Sequence, residues 1–281
     1  VTIPEWSSAP AAAAIAALAF WLNRKVFGFL PDDPPDAGRK QHGRPVPLAG
    51  VVLLPVVAVA LIATQDWLLL AAAVLASLVG YGDDRGKERG RGLPARSKGL
   101  GLLLVAALVA VRAVPDVAAA PERFALAWLL AFVLTNACNF LDNTDGVSAA
   151  LCGTSLLLAS GGSGALGAAG FAALGFLPWN WPRPWLFLGD AGALLLGTLV
   201  AAASTAHLPE LAATVLPVAV QLADFVQVVL ARLVLGRPPW VGDRRHLTHV
   251  AQNLGLPPVL VAPLFAAIAV AASQLPAAGV G

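Results

Sequence analysis

Apolar residues run along this chain in long unbroken blocks rather than in alternation or narrow stripes. The blocks lie near 6–23, 46–64, 66–82, 99–115, 121–141, 146–161, 163–178, 191–207, 210–235 and 257–277. A helix needs about 20 apolar residues to cross the hydrocarbon core of a bilayer. The pattern therefore predicts an all-α, polytopic membrane protein of about ten transmembrane helices. The sixth and seventh blocks flank "SGGSGALGAAG", whose glycines suit short, tilted or closely packed helices. No internal repeat and no soluble domain interrupts the series, so residues 1–281 read as a single membrane-embedded domain. Arg24 and Lys25 follow the first block instead of preceding it, which fits a retained first span better than a cleaved signal.

Composition agrees. The chain is 58% hydrophobic and 12% charged, against about 25% charged in soluble domains. A net charge of +2 is too small to point to nucleic acid. The distribution of charge says more. Of the 18 Lys and Arg, all but Arg112 and Arg123 fall in the segments 24–45, 83–98, 179–190 and 232–250, which an alternating path places on one side. The positive-inside rule makes that side cytoplasmic, with both termini outside a plasma membrane. Cys138 and Cys152 lie in apolar segments without a CxxC or Cys/His neighbour and read as small core residues.

Candidate chemistry gathers on the same side. Asp83, Asp84, Asp142, Asp145, Asp190 and Asp243 all sit at the ends of apolar blocks or in the basic connections. A carboxylate at the bilayer centre costs roughly 2.5–3.5 kcal/mol on the insertion scale, and placement at the interface with a cation nearby lowers that. Acids from four separate segments, beside an excess of Lys and Arg, are what a divalent-metal and polyphosphate site requires. In "GYGDDRGK" (80–87) adjacent acids point about 100° apart on a helix and can face two ligands; the alternative is a solvated helix end. "TNACNFLDNTDG" (135–146) repeats Asn136, Asn139, Asp142 and Asp145 at every third position. Its donors and acceptors suit a nucleobase, a sugar and a cation, against an alternative of polar contacts between helices. Its end reads as a turn, with Gly146 free to take positive φ. In "FLGDAG" (187–192) Asp190 is either a metal or phosphate-site acid or a helix N-cap, and Phe187 either packs or stacks on a base. "GDRRHLTH" (242–249) offers Arg244, Arg245, His246 and His249 for phosphate, while zinc lacks a third ligand. Lys98 and the basic "GRKQHGRPVPLAG" (38–50) are either site residues or membrane anchors. Asp224, inside the ninth block, is expected to face helices or a polar cleft.

Taken in order, "RKQHGRPVPLAG", "GYGDD", "ARSK", "NACNFLDNTDG", "NWPRPWLFLGDAG" and "DRRHLTH" closely resemble the motifs of the polyprenyl-phosphate N-acetylhexosamine-1-phosphate transferases. The "DRxH" form resembles the undecaprenyl-phosphate GlcNAc-1-phosphate transferase branch more than the phospho-MurNAc-pentapeptide translocases. The resemblance implies a ten- or eleven-helix enzyme with a cytoplasmic, Mg²⁺-dependent site, Mn²⁺ being the alternative ion. It implies transfer of a sugar-1-phosphate from a UDP-sugar to a polyprenyl phosphate, with release of UMP, at the start of a lipid-linked envelope glycan. It matches Asp83 and Asp84 to paired catalytic acids and Asp190 to a metal ligand. It matches Asp142, Asp145 and Phe187 to the nucleotide site, and Lys98 and Asn180 to its phosphate lining. His246 and His249 match the histidine motif. Four positions depart from the pattern: Asn143 and Ala49 stand where glycine is usual, Thr248 where histidine is usual, and Ala193 where serine is usual. They bear on sugar identity more than on chemistry.

On this basis the expected metal set is Asp190 with Asp83 and Asp84, and the catalytic set is those three with His249. The expected substrate contacts are Lys98, Asn139, Asp142, Asp145, Asn180, Phe187, Arg244, Arg245 and His246. The expected partners are the UDP-sugar, the polyprenyl phosphate and the bilayer, with a homodimer as the expected form of any self-association. The rival readings are a catalytically silent relative that binds the same ligands, and a transporter, whose acids would sit at mid-membrane on facing helices.

Overall fold

The computed structural model describes residues 4–23, 28–33, 45–208, 210–242 and 244–275. Arg24, Lys25, Arg39, Lys40, Arg44 and Asp243, named above for charge or chemistry, lie outside the described residues. Each predicted apolar block contains helix, and one further short helix, α11, falls in the basic connection before the last block: α1 (Ser8–Leu22), α2 (Leu53–Ala63), α3 (Trp67–Glu88), α4 (Ala95–Ala113), α5 (Pro121–Phe140), α6 (Val147–Ser160), α7 (Gly164–Asn180), α8 (Gly189–Thr205), α9 (Leu211–Val215), α10 (Ala219–Val234), α11 (Leu247–Asn253) and α12 (Pro258–Ser273). This is an all-α, polytopic membrane protein. Three helical stretches, Trp67–Glu88, Pro121–Phe140 and Leu211–Val234, are long and apolar enough to span a bilayer by length and composition; α6, α8 and α12 are shorter apolar helices. Leu18, Ile62, Leu78, Leu104, Leu129, Leu230 and Leu233 point outward, as a lipid-facing surface demands.

Several boundaries differ from expectation; α2, for one, starts at Leu53 although the second block begins at 46. The ninth block is not one regular helix: a 3₁₀ turn, Leu216–Val218, separates α9 from α10. Pro217 supplies the reason, since its ring removes a donor and clashes with the preceding turn. α3 runs on to Glu88, past the expected end at 82, and Asp83 and Asp84 lie on its last turns, on helix as the "GYGDDRGK" reading has them.

α8 is the hub. Every residue of it except Asp190 is buried, among α3, α5 and α6. With no hydrophobic drive between helices inside lipid, close backbone approach has to supply the packing. Gly80 of α3 provides it: a Cβ there would lie 2.4 Å from the Asp190 carbonyl carbon and oxygen. Cys138 and Cys152 are free and buried. A short antiparallel pair, β1 (Asp32–Asp33) with β2 (Val46–Pro47), leads into Leu48, which bridges Phe187. That bridge joins the Pro-x-Pro segment to the residues just before α8.

Candidate active site

α3 carries the acids to one membrane boundary. Trp67, 59% exposed, opens the helix as an interfacial tryptophan would. Asp83 lies about 24 Å further along the axis, at 1.5 Å per residue, against a core about 30 Å thick. The carboxylates thus sit near the opposite boundary, not at the bilayer centre.

There the close approach at Gly80 fixes the register between α3 and α8. Asp84, 2% exposed, accepts hydrogen bonds from the Asp190 and Ala191 backbone N–H groups, both at 3.0 Å. These are among the first N–H groups of α8, which have no partner within their own helix. The cap of α8 is therefore an aspartate from another helix. Asp190 itself makes no cap, and its own oxygens turn to Lys87 Nζ (2.9 Å) and Lys98 Nζ. Both lysines also reach Asp83 Oδ2, at 2.9 and 3.0 Å, while Asp83 Oδ1 accepts from the Leu93 N–H at 2.6 Å. Two carboxylates and two ammonium groups form a closed square at the end of an apolar bundle. Lys87 is the residue that sequence reasoning missed. Its signal was position: one helical turn beyond Asp83 it shares that residue's face, but an exposed lysine after two acids also reads as an anchor.

The square supplies hard oxygen donors that already converge on cations. That donor chemistry fits Mg²⁺, which takes oxygen ligands, needs only one or two carboxylates and shares its shell with phosphates. Among the described residues no three His, Cys, Asp or Glu side chains form a cage by themselves, so substrate oxygens would have to complete the shell. Asp83 and Asp190 could hold the ion. Both Asp84 oxygens are engaged by α8.

The turn after α5 faces this cluster. Burial first, then the negative charges of Asp190 and Asp84, hold the Asp142 carboxyl well above the usual carboxylate range. Gly146 takes φ +74° and opens α6. Asn180, 2% exposed, pins the turn from below: its Oδ1 accepts from the Gly146 N–H (3.1 Å) and its Nδ2 donates to the Leu186 carbonyl (3.1 Å). Both polar ends of Asn180 are thus spent on backbone, joining the turn to the strand-like stretch that carries Phe187. Asn139 Oδ1 is buried without a hydrogen-bond partner among the described residues, an acceptor available to a ligand N–H or O–H.

The histidine motif divides. His246 is buried and its Nδ1 meets Asp224 Oδ2 at 2.8 Å, while its Nε2 lies 3.5 Å from the Arg232 guanidinium. Arg232, also buried, stacks over Phe140 at 5.1 Å. Asp224 does face a polar interior, as expected. His249 lies on the first turn of α11, its ring 6.3 Å from that of His246. Arg244 is exposed and Arg245 half-buried. The structure gathers Asp83, Asp84, Asp190, Lys98 and Asp142 into one cluster and turns His246 inward to a separate buried group.

Comparison with known proteins gives the arrangement a context. Residues 67–207 match the model of glycosyl transferase family 4. A phospho-N-acetylmuramoyl-pentapeptide-transferase of Geobacillus kaustophilus is 30% identical over 217 residues, covering 65% of this chain and 67% of that protein. An undecaprenyl-phosphate alpha-N-acetylglucosaminyl 1-phosphate transferase of Thermotoga maritima is 30% identical over 223 residues, 78% of this chain and 72% of the other. A decaprenyl-phosphate N-acetylglucosaminephosphotransferase of Mycobacterium tuberculosis is 31% identical over 157 residues, 43% of this chain and 39% of its own. The first two bear different activities at equal identity, so similarity does not separate the two branches.

Proposed function

From the premise that the chain belongs to glycosyl transferase family 4 and is a phospho-sugar transferase, we propose that it moves an N-acetylhexosamine 1-phosphate from a UDP-sugar to a polyprenyl phosphate. UMP is released, at the cytoplasmic face of the plasma membrane. The observation that carries this reading is the convergence of Asp83 and Asp190 on the Lys87 and Lys98 ammonium groups where an apolar bundle meets water.

Two anions must meet for this reaction, so charge neutralisation and positioning dominate. Lys87 and Lys98 pair with diphosphate oxygens, releasing Asp83 and Asp190 from their present partners. Asp83 and Asp190 would hold Mg²⁺, with Mn²⁺ as the alternative, and the ion would neutralise diphosphate charge. Asp84 positions Asp190 through the start of α8. Asp142, Asp145, Asn139 and Phe187 bind the nucleoside, with Asn180 holding their turn in place. His249, Arg244 and Arg245 supply positive charge towards the phosphates, and His246 positions α11. An oxygen of the lipid phosphate bonds to the β-phosphorus as the bond from that phosphorus to the bridging oxygen breaks. The bridging oxygen leaves with UMP. A phosphomonoester has its second pKa near 6, so near neutral pH the nucleophile is largely dianionic and needs no strong base.

The test is a panel of UDP-sugars incubated with purified protein and undecaprenyl phosphate, scored for UMP. UMP release with a UDP-N-acetylhexosamine, dependent on the lipid phosphate, is expected. Donor binding without turnover would make the chain a silent relative, and solute flux without UMP would make it a transporter.

A further inference from the structure

Asn143 and Thr248, two of the departures picked out in the sequence, are in direct contact although 105 positions apart. Asn143 Nδ2 donates to the Phe140 carbonyl at 2.6 Å, which points the amide oxygen away from α5. That Oδ1 accepts from Thr248 Oγ1 at 2.6 Å and from Thr144 Oγ1 at 3.0 Å. Thr144 Oγ1 in turn accepts from Gln252 Nε2 at 3.3 Å. A hydroxyl has one hydrogen to give, and both hydroxyls give it to the same oxygen, so the direction of the chain is fixed. Thr248 is fully buried. At the start of α11 Asp224, also fully buried, accepts from the Leu247 N–H at 2.6 Å and holds the His246 ring.

α11 has seven residues, far fewer than an isolated helix needs to persist in water. Its orientation depends on these ties. Asp224 fixes where it begins, and the Thr248 and Gln252 contacts fix which face of it meets the 142–146 turn. We propose that Asn143 and Thr248 are a positioning pair that locks α11 to the nucleotide-facing turn, so that His249 and the Asp142–Asp145 turn meet the donor as one preorganised unit. The functional consequence rests on the sugar-1-phosphate transfer proposed above. A donor contacting both elements would itself restore their alignment, at the expense of its affinity. Loss of the pair then raises the donor KM, because the competent arrangement is populated only in part, and leaves kcat and the acceptor KM nearly unchanged.

The experiment uses the full chain in detergent with Thr248→Val, which keeps the branched shape, Asn143→Ala, the double variant and Thr248→Ser. A net hydrogen bond of ordinary strength corresponds to about a five-fold effect. Each of Thr248→Val and Asn143→Ala is expected to raise the donor KM about five-fold, the double variant no more than the worse single one, and Thr248→Ser to behave as wild type. Amide hydrogen exchange over 247–253 is measured on the same samples and needs no catalysis. It should quicken in both single variants, no further in the double, and stay at the wild-type rate in Thr248→Ser. Unchanged exchange in Thr248→Val, or single-variant effects that multiply in the double, overturns the pair. A wild-type protein without transfer activity but with this exchange pattern overturns the proposed reaction and leaves the pair standing.

Discussion

Asp84→Asn separates architecture from chemistry at this site. The carboxylate gives one oxygen to each of two backbone N–H groups at the start of α8, in a position 2% exposed. Asparagine has one acceptor oxygen and an NH₂ group, so one N–H would face another donor. Leaving a buried donor unsatisfied costs about 1–3 kcal/mol. Losing an anion at a partly buried helix N-terminus adds about 0.3–2 kcal/mol, and the total is about 1–5 kcal/mol. In a chain of this size each kcal/mol moves the melting temperature by about 2–4 °C, which gives a fall of about 3–20 °C. Asp190→Asn is the contrast. Its oxygens face two lysine ammonium groups, 50% and 20% exposed, where an exposed pair contributes at most about 1 kcal/mol and a more buried one more, while the Asp84 cap on α8 stays intact. Both variants should lose UMP release, but Asp84→Asn should melt earlier. The assay is tryptophan fluorescence during heating in detergent at one fixed scan rate, since such unfolding is commonly irreversible, with UMP release on the same samples. An Asp84→Asn variant that melts within about a degree of wild type, or an Asp190→Asn variant that melts as early, would refute the reasoning.

Gly80→Ala should lower both activity and melting temperature, because its Cβ would lie 2.4 Å from the Asp190 backbone and overpacking of that kind costs about 1–3 kcal/mol or more. Gly82→Ala on the same helix, whose Cβ would meet, among the described residues, only Leu93 Cδ1 at 3.7 Å, should leave both intact in the same measurements. Asp142 gives a pH test: its folded carboxyl is held above the usual range, so the folded chain keeps a proton that the unfolded chain releases near pH 4. Stability therefore falls as pH rises from about 4 through the folded value. In EDTA, Asp142→Asn should melt with wild type near pH 4 and above it at pH 8; parallel melting curves at both pH values would remove the premise. Lys87→Gln should lower kcat about 10- to 100-fold, the range of a charge-assisted hydrogen bond. EDTA should abolish UMP release, with Mg²⁺ restoring it in a titration.

The helices were legible because lipid leaves the chain few choices: a backbone inside a bilayer must satisfy itself, and long apolar blocks do so as helices. The acids at block ends were legible for the same energetic reason. Their partners were not. Asp84 meets α8 only because Gly80 lets two helices close to a particular register, and a glycine in the sequence does not say which helix it admits. Asn180 illustrates a second limit. A polar side chain in a motif looks the same whether it touches a ligand or ties Gly146 to Leu186. Arg232 was counted among the basic residues of a membrane face, whereas it is buried beside His246 and Phe140; no local pattern distinguishes an arginine that anchors from one that folds inward.

His246 carries the same point into the chemistry. Its Nδ1 sits 2.8 Å from Asp224 Oδ2 and its Nε2 lies towards the Arg232 guanidinium, so both ring nitrogens have partners inside the fold. The ring stands edge-on to Phe140 at 5.8 Å. Turning it towards a phosphate would loosen the start of α11. Its place in the motif is better explained by what it holds still: the Leu247 N–H beside it on Asp224, and through that helix the second histidine, His249.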